Sequence, residues 1–121
     1  MEDLRDILDN LEKIKNEFKE DLNFLAIFGS RAKGTFKRDS DLDLFYDMEN
    51  VDRLIEFEEY VDKLFEGMKI DLVPILSVLH EEQDLVADYF MEGSILIHES
   101  KRLYNYLKNE RILNRYKKYF N

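Results

Sequence analysis

The sequence predicts a small mixed α/β domain, in which helices pack against one short β-sheet. Three observations carry that prediction. The chain has 121 residues, 45% hydrophobic and 37% charged, which is the make-up of a folded globular protein and excludes a disordered one. Its apolar residues recur with helical period in some segments and in short strand-like runs in others. Four glycines, one proline and no low-complexity run leave no linker and no repeat, so residues 1–121 are expected to form a single domain with one two-layer core.

Leu4, Ile7, Leu8, Leu11, Ile14 and Phe18 fall on one helical face, predicting an amphipathic helix over residues 2–19. Leu22–Phe28 is a short apolar run ending at Gly29 and reads as a buried strand. Asp41–Tyr46 begins with polar/apolar alternation, the period of a strand with one buried face. Leu54, Phe57, Val61, Leu64 and Phe65 mark a helix over about 51–66, and Gly67 follows where helices commonly stop. Lys69–Val73 reads as a third strand closed by Pro74. A helix over about 77–90, a short strand near Ile95–Ile97 and one long helix from about 99 to 119 complete the pattern.

The longest apolar runs are far too short to span a bilayer. MEDLRDILDN is acidic and amphipathic, unlike a secretory signal or an Arg-rich transit peptide, so a cytoplasmic protein is expected. There is no cysteine, hence no disulfide framework and no thiolate metal site. The net charge of −9 is unevenly spread. From Ser100 onward seven basic residues (Lys101, Arg102, Lys108, Arg111, Arg115, Lys117, Lys118) face one acidic residue, Glu110, a net of +6 that leaves −15 on residues 1–99. That body disfavours general attraction to nucleic acid.

One stretch is not explained by core building: GSRAKGTFKRDSDLDL, residues 29–44. Asp41 and Asp43 stand at i and i+2 on a strand, so both carboxylates project from one face while Leu42 and Leu44 point into the core. Two adjacent anions repel unless a cation lies between them. Oxygen ligands without cysteine or a nearby histidine suit Mg²⁺ or Mn²⁺ rather than zinc. Upstream, Gly29-Ser30 directly follows a buried strand, where backbone N–H groups and a hydroxyl can cradle phosphate oxygens. RAKGTFKR, residues 31–38, adds basic residues and no acidic one. Phosphate binding in front and metal-binding carboxylates behind are the components of two-metal phosphoryl or nucleotidyl transfer. An ordinary hairpin loop with solvated lysines is the bland alternative.

Gly29-Ser30, ten intervening residues and then Asp41-Leu42-Asp43-Leu44 resembles the signature of the DNA polymerase β-like nucleotidyltransferases, and most closely their minimal nucleotidyltransferase (MNT) branch. The third acidic ligand of that family is matched by Asp71 in KIDLVP, residues 69–74. The resemblance implies the small nucleotidyltransferase fold, a short mixed sheet flanked by helices. It implies that Asp41, Asp43 and Asp71 hold two Mg²⁺ ions (or Mn²⁺), with Asp71 able to accept the proton of the attacking hydroxyl. Ser30 and the N–H groups at Gly29–Ser30 would bind the terminal phosphates of ATP, with Arg31 and Lys33 as further candidates for phosphate charge. Asp39 and Asp47 fall off the motif's spacing and read as a turn residue and a strand end. Ser40 is a candidate for capping the loop.

Larger members of that superfamily carry further domains for the acceptor, which 121 residues leave no room for. Minimal domains pair with helical HEPN toxins, which are RNases, and act as antitoxins by transferring AMP to a toxin tyrosine. The resemblance therefore implies a toxin partner. The basic, Tyr-rich tail (Tyr104, Tyr106, Tyr116, Tyr119) either docks that partner or packs on the protein's own body. The chain is not itself the toxin. The Arg and His of HEPN RNases, separated by four to six residues, would need an Arg among Val73, Pro74 and Ile75 for His80, or among Met91, Glu92 and Gly93 for His98. Rival readings are a non-catalytic antitoxin that masks its toxin and a nucleotidyltransferase acting on a small molecule or nucleic acid. A haloacid-dehalogenase phosphatase is disfavoured because its Asp-x-Asp normally continues to Thr or Val where Phe45 stands.

Overall fold

A computed structural model of the chain describes residues 4–34, 40–80, 88–89 and 91–120. The elements are α1 (Leu4–Glu17), β1 (Leu22–Phe28), α2 (Ser30–Lys33), β2 (Leu42–Met48), a 3₁₀ turn (Val51–Arg53), α3 (Leu54–Leu64), β3 (Ile70–Pro74), α4 (Ile75–Leu79), β4 (Ile95–Glu99), α5 (Lys101–Asn109) and α6 (Leu113–Tyr119). The four strands form one mixed sheet in the order β3-β2-β1-β4. β1 runs antiparallel to both β2 and β4, and β2 runs parallel to β3. Among the described residues no helix is long and apolar enough to cross a membrane.

Helices cover both sheet faces, one more layer than expected. All seven residues of β1 are buried, which explains why six of them are apolar: a strand covered on both sides has no solvent-facing side, and its one polar residue, Asn23, is fully hydrogen-bonded. Leu25 and Ile27 join Leu42 and Leu44 of β2 beneath α1 and α3, against Ile7, Leu11, Ile14, Phe18, Phe57 and Val61. Phe18 meets Phe57 and Tyr60 edge-on at 5.3 and 5.5 Å. On the opposite face Phe24, Ala26 and Phe28 of β1 and Phe45 of β2 pack with α4, α5 and α6.

The single long C-terminal helix expected over 99–119 is two helices. Ser100 caps α5, its hydroxyl accepting from the Leu103 N–H at 3.2 Å. After Asn109 the chain turns: Arg111 takes φ 62°, its N–H donates to the Lys108 carbonyl at 3.2 Å, and the Ile112 N–H donates to the Leu107 carbonyl at 2.9 Å. That is the bonding of a left-handed helix stop usually built on glycine. The turn lets α6 fold back, so that Tyr116 and Phe120 meet Phe24 at 5.8 and 5.0 Å. The tail therefore packs on its own domain. Tyr104 donates to Glu99 at 2.9 Å, Tyr116 donates to the same carboxylate and Tyr119 to Asp88, while Lys101, Lys108, Arg111 and Lys117 stay exposed.

Of the helix expected over 77–90, the described residues show α4, which ends at Leu79, and helical backbone at 88–89; 81–87 and 90 lie outside the described residues. At the far end of β1, the buried Asn23 is a polar linchpin. Its Nδ2 donates to Asp47 and Glu49 at 3.0 and 2.6 Å, and its Oδ1 accepts from Ser100 and Arg102 at 2.7 and 3.1 Å.

Candidate active site

The parallel pairing of β2 and β3 sets Asp43 directly beside Asp71. Two residues on neighbouring strands at one register level point to the same side of the sheet, so the carboxylates face each other. α3 is the crossover that makes this possible, since parallel strands cannot be joined by a hairpin. On its other side Asp43 pairs with Phe28, the last residue of β1. Phe28 stacks on Phe45 with ring centroids 3.7 Å apart, an apolar floor beneath the acids.

Next to Phe28 the chain turns sharply at Gly29 (φ 79°, ψ −159°), a conformation essentially restricted to glycine, and enters α2. Gly29, Ser30, Lys33, Asp43, Asp71, Phe28, Leu72, Val73 and Tyr89 together line an open cleft of about 600 Å³. Five of the residues picked out from sequence are thus brought together: Gly29, Ser30, Lys33, Asp43 and Asp71.

Lys33 is more than a solvated loop lysine. A Cβ on Gly93 would stand 3.0 Å from Lys33 Cγ, so the lysine stem lies against a bare glycine. Its Nζ lies 5.6 Å from the centroid of the Tyr89 ring, in cation–π range. The stem thus lies against Gly93 while the exposed ammonium sits beside the Tyr89 ring.

Arg31 and Asp41 do not line the cleft. Arg31 is 1% exposed, and its Nε and Nη2 donate to the Ser40 carbonyl at 3.2 and 2.8 Å. That makes it a brace for the residue that leads into β2, instead of a phosphate ligand as expected from sequence. Ser40 contributes its carbonyl there. Asp41 precedes β2 and pairs with Lys69 at 3.7 Å. Thr35–Asp39, which include half of the basic run and Asp39 itself, lie outside the described residues. Asp47 sits near the end of β2, as expected for a strand-end residue.

Asp43 is the most perturbed acid of the cleft, its pKa raised to about 6. Partial burial is the largest cause; the Asp71 carboxyl adds repulsion and a hydrogen bond that favours the protonated form, and Asp41 adds repulsion. Lys69 opposes the shift. Among the described residues no three His, Cys, Asp or Glu side chains are gathered around one point. The donor chemistry nonetheless fits a hard divalent cation: carboxylate oxygens only, two of them adjacent, with the Asp43 pKa raised where a cation would lower it. Sequence reasoning missed Tyr89, Leu72, Val73 and Lys69. No motif marks them, and only the parallel register and the fold of the chain near Gly93 bring them to the acids.

The polymerase beta nucleotidyltransferase family model matches residues 12–102. Protein adenylyltransferase MntA of Thermococcus cleftensis is 36% identical over 75 residues, 54% of this chain and 75% of that protein. MJ1215 of Methanocaldococcus jannaschii, whose protein adenylyltransferase name is itself provisional, is 36% identical over 78 residues, 60% of this chain and 90% of that protein. A toxin-antitoxin crystal structure with AMP-PNP shares the fold at TM-score 0.54 and 18% identity, over 91% of this chain and 86% of that one. A mutant of the MntA-HpeT toxin-antitoxin does so at TM-score 0.55 and 17% identity.

Proposed function

Since the chain belongs to the polymerase beta nucleotidyltransferase family, we propose that it is a protein adenylyltransferase that moves AMP from ATP onto a tyrosine of a partner toxin of the HEPN RNase type, and so acts as the antitoxin. The observation that carries this reading is the register pair Asp43 and Asp71 in one cleft with Gly29, Ser30 and Lys33. The names of its relatives support the protein acceptor, since MntA of Thermococcus cleftensis is called a protein adenylyltransferase.

The reaction balances simply. The tyrosine oxygen attacks the α-phosphorus, an O–P bond forms, the bond to the β-phosphate oxygen breaks, and pyrophosphate leaves. Asp71 takes the hydroxyl proton. Ser30 and the N–H groups at Gly29–Ser30 bind the terminal phosphates, and Lys33, beside the Tyr89 ring, supplies positive charge to them. Arg31 acts from behind, by holding Ser40 and with it the start of β2. Asp41, Asp43 and Asp71 would hold two Mg²⁺ or Mn²⁺ ions, which when bound neutralise the triphosphate and polarise the reacting phosphorus. For that, Asp41 must exchange Lys69 for the metal.

The test is transfer itself. With the physiological partner, Mg²⁺ and ATP labelled at the α-phosphate, label moves to a partner tyrosine, and the Asp41→Asn/Asp43→Asn double variant abolishes it. If the wild type transfers no label from any of the four nucleotides while the variant still binds and silences the partner, the protein is instead an antitoxin that works by masking.

A further inference from the structure

We propose that β3, the strand that carries Asp71, is also the acceptor dock: an extended segment of the partner adds to its free edge as a fifth, antiparallel strand and so delivers its tyrosine to Asp71. The inference rests on the nucleotidyltransferase reading above and specifies how the acceptor is presented.

The first observation is the edge itself. β3 is the outermost strand of the sheet and pairs only with β2 among the described residues. The Leu42 N–H donates to the Lys69 carbonyl at 2.9 Å, and Leu42 stands opposite Ile70. In a parallel ladder that phase turns the backbone groups of Lys69, Asp71 and Val73 toward β2 and those of Ile70 and Leu72 outward. Pro74 falls at the next outward position, where a missing N–H interrupts no pairing. The register with β2 runs unbroken from Ile70 to Pro74, whereas β4, at the other edge, carries a shift against β1. Such a shift blunts an edge, and β3 is left regular.

The second observation is what an added strand would meet. Along β3 the side chains alternate, Asp71 toward the cleft and Ile70 and Leu72 toward α1 and α3. In an antiparallel fifth strand the residue opposite Asp71 takes a non-hydrogen-bonded site, with Cα atoms about 4.5 Å apart and side chains at their closest. A tyrosine there lies on the cleft face, beside the acid that takes its proton. Its oxygen then bonds to the α-phosphorus and pyrophosphate leaves, as above.

The residues before and after that tyrosine project to the other face. There Tyr46, Glu58, Asp62, Ile70 and Leu72 line a groove of about 320 Å³. Glu58 and Asp62, one turn apart on α3, are exposed, and neither forms an ion pair among the described residues. Ile70 and Leu72 suit an alkyl stem and the two carboxylates suit its cationic head, which is the chemistry of Lys and Arg. The acceptor class is thus a tyrosine between basic residues in an extended segment.

Transfer from ATP labelled at the α-phosphate, with the full-length chain and Mg²⁺, tests the dock on two acceptors. One is the physiological partner and the other the end-blocked peptide Val-Thr-Lys-Tyr-Lys-Thr-Val. Wild type is expected to label both. N-methylation of the two peptide lysines, whose N–H groups face β3, should lower peptide labelling about tenfold, the worth of two hydrogen bonds. Methylation of the tyrosine N–H, which points away, should not. Glu58→Lys/Asp62→Lys should raise KM for the partner about tenfold, with kcat and the KM for ATP unchanged. A labelled partner with an unlabelled peptide, an equal loss from either methylation, or a wild-type KM in the charge-reversed variant overturns the dock and leaves the transferase reading standing. No label on the partner from any of the four nucleotides overturns both.

Discussion

A methyl group on Gly29 would stand 2.4 Å from Oδ2 of Asp43. The bare backbone at the turn and the carboxylate on the neighbouring strand fill adjoining space, so the loop and the acid cannot be varied independently. Gly29 also sits at φ 79°, where other residues are strained. Gly29→Ala is expected to cost about 2–3 kcal/mol of stability, combining backbone strain with a displaced side chain. Transfer should fall by about a hundredfold in whatever protein still folds, because small misplacements of reacting groups are that costly. Thermal unfolding and the labelled-ATP assay check the two parts separately.

Asp43→Asn should stabilise the metal-free protein at neutral pH while abolishing transfer. The folded pKa of Asp43 is raised from 3.8 to about 6, so the folded state holds this proton more tightly than the unfolded chain. Its contribution to stability is full below about pH 4 and is lost as pH rises through about 6. The variant's advantage should therefore be near zero at about pH 4 and reach about 1 kcal/mol at neutral pH, a figure discounted for the solvent around a half-buried carboxylate. Denaturant unfolding across that range measures it; a flat difference would show that Asp43 ionises normally.

Adding Mg²⁺ should raise the unfolding temperature of the wild type at neutral pH, since an ion bound only by the folded state stabilises it by mass action. Chelation with EDTA should reverse the gain. Asp43→Asn and Asp71→Asn should lose most of it, and the wild type should lose it in acid, where the proton on Asp43 competes with the metal. Differential scanning calorimetry with and without chelator gives the comparison.

Arg111→Gly should stabilise the fold by about 0.5–1 kcal/mol. Arginine at φ 62° pays the left-handed steric cost, which glycine avoids while losing only its greater freedom in the unfolded chain. Nothing at the cleft should change. An unaltered or lower midpoint in urea would argue against the left-handed stop.

Asn23→Ala should destabilise by about 2–4 kcal/mol, because Asp47, Glu49, Ser100 and Arg102 all lose a buried partner at once. Nucleotide binding per folded molecule should be unchanged, as these residues lie at the opposite end of β1 from Gly29. Urea unfolding and calorimetric titration separate the two.

The strands were legible in the sequence because their burial leaves a direct mark. Leu22–Phe28 is covered on both faces and apolar but for Asn23, and its observed bounds are the predicted ones. Asp43 and Asp71 were legible as chemistry because acids on core strands contradict the pattern around them. The break in the tail was not, because helical spacing runs on past it and Arg111 occupies a position where glycine would have announced the stop. Arg31 read as a candidate for phosphate charge, yet it is buried; burial of that charge depends on a carbonyl nine residues away, which no local period encodes. Tyr89 was silent for the same reason: its place in the cleft comes from tertiary packing alone.

The strand order also has a consequence during synthesis. β1 lies inside the sheet, but its partner on one side is β4, and the His98 ring bonds the Leu22 carbonyl from 76 residues downstream. Of the helices that cover Phe24, Ala26 and Phe28, α4 comes before β4, but α5 and α6 come later still. A ribosome thus releases the most apolar strand early and completes its cover only after α6 has emerged. For that interval the nascent chain offers a bare strand edge and a greasy face to its neighbours, which makes slow translation or early termination of this protein a route to aggregation.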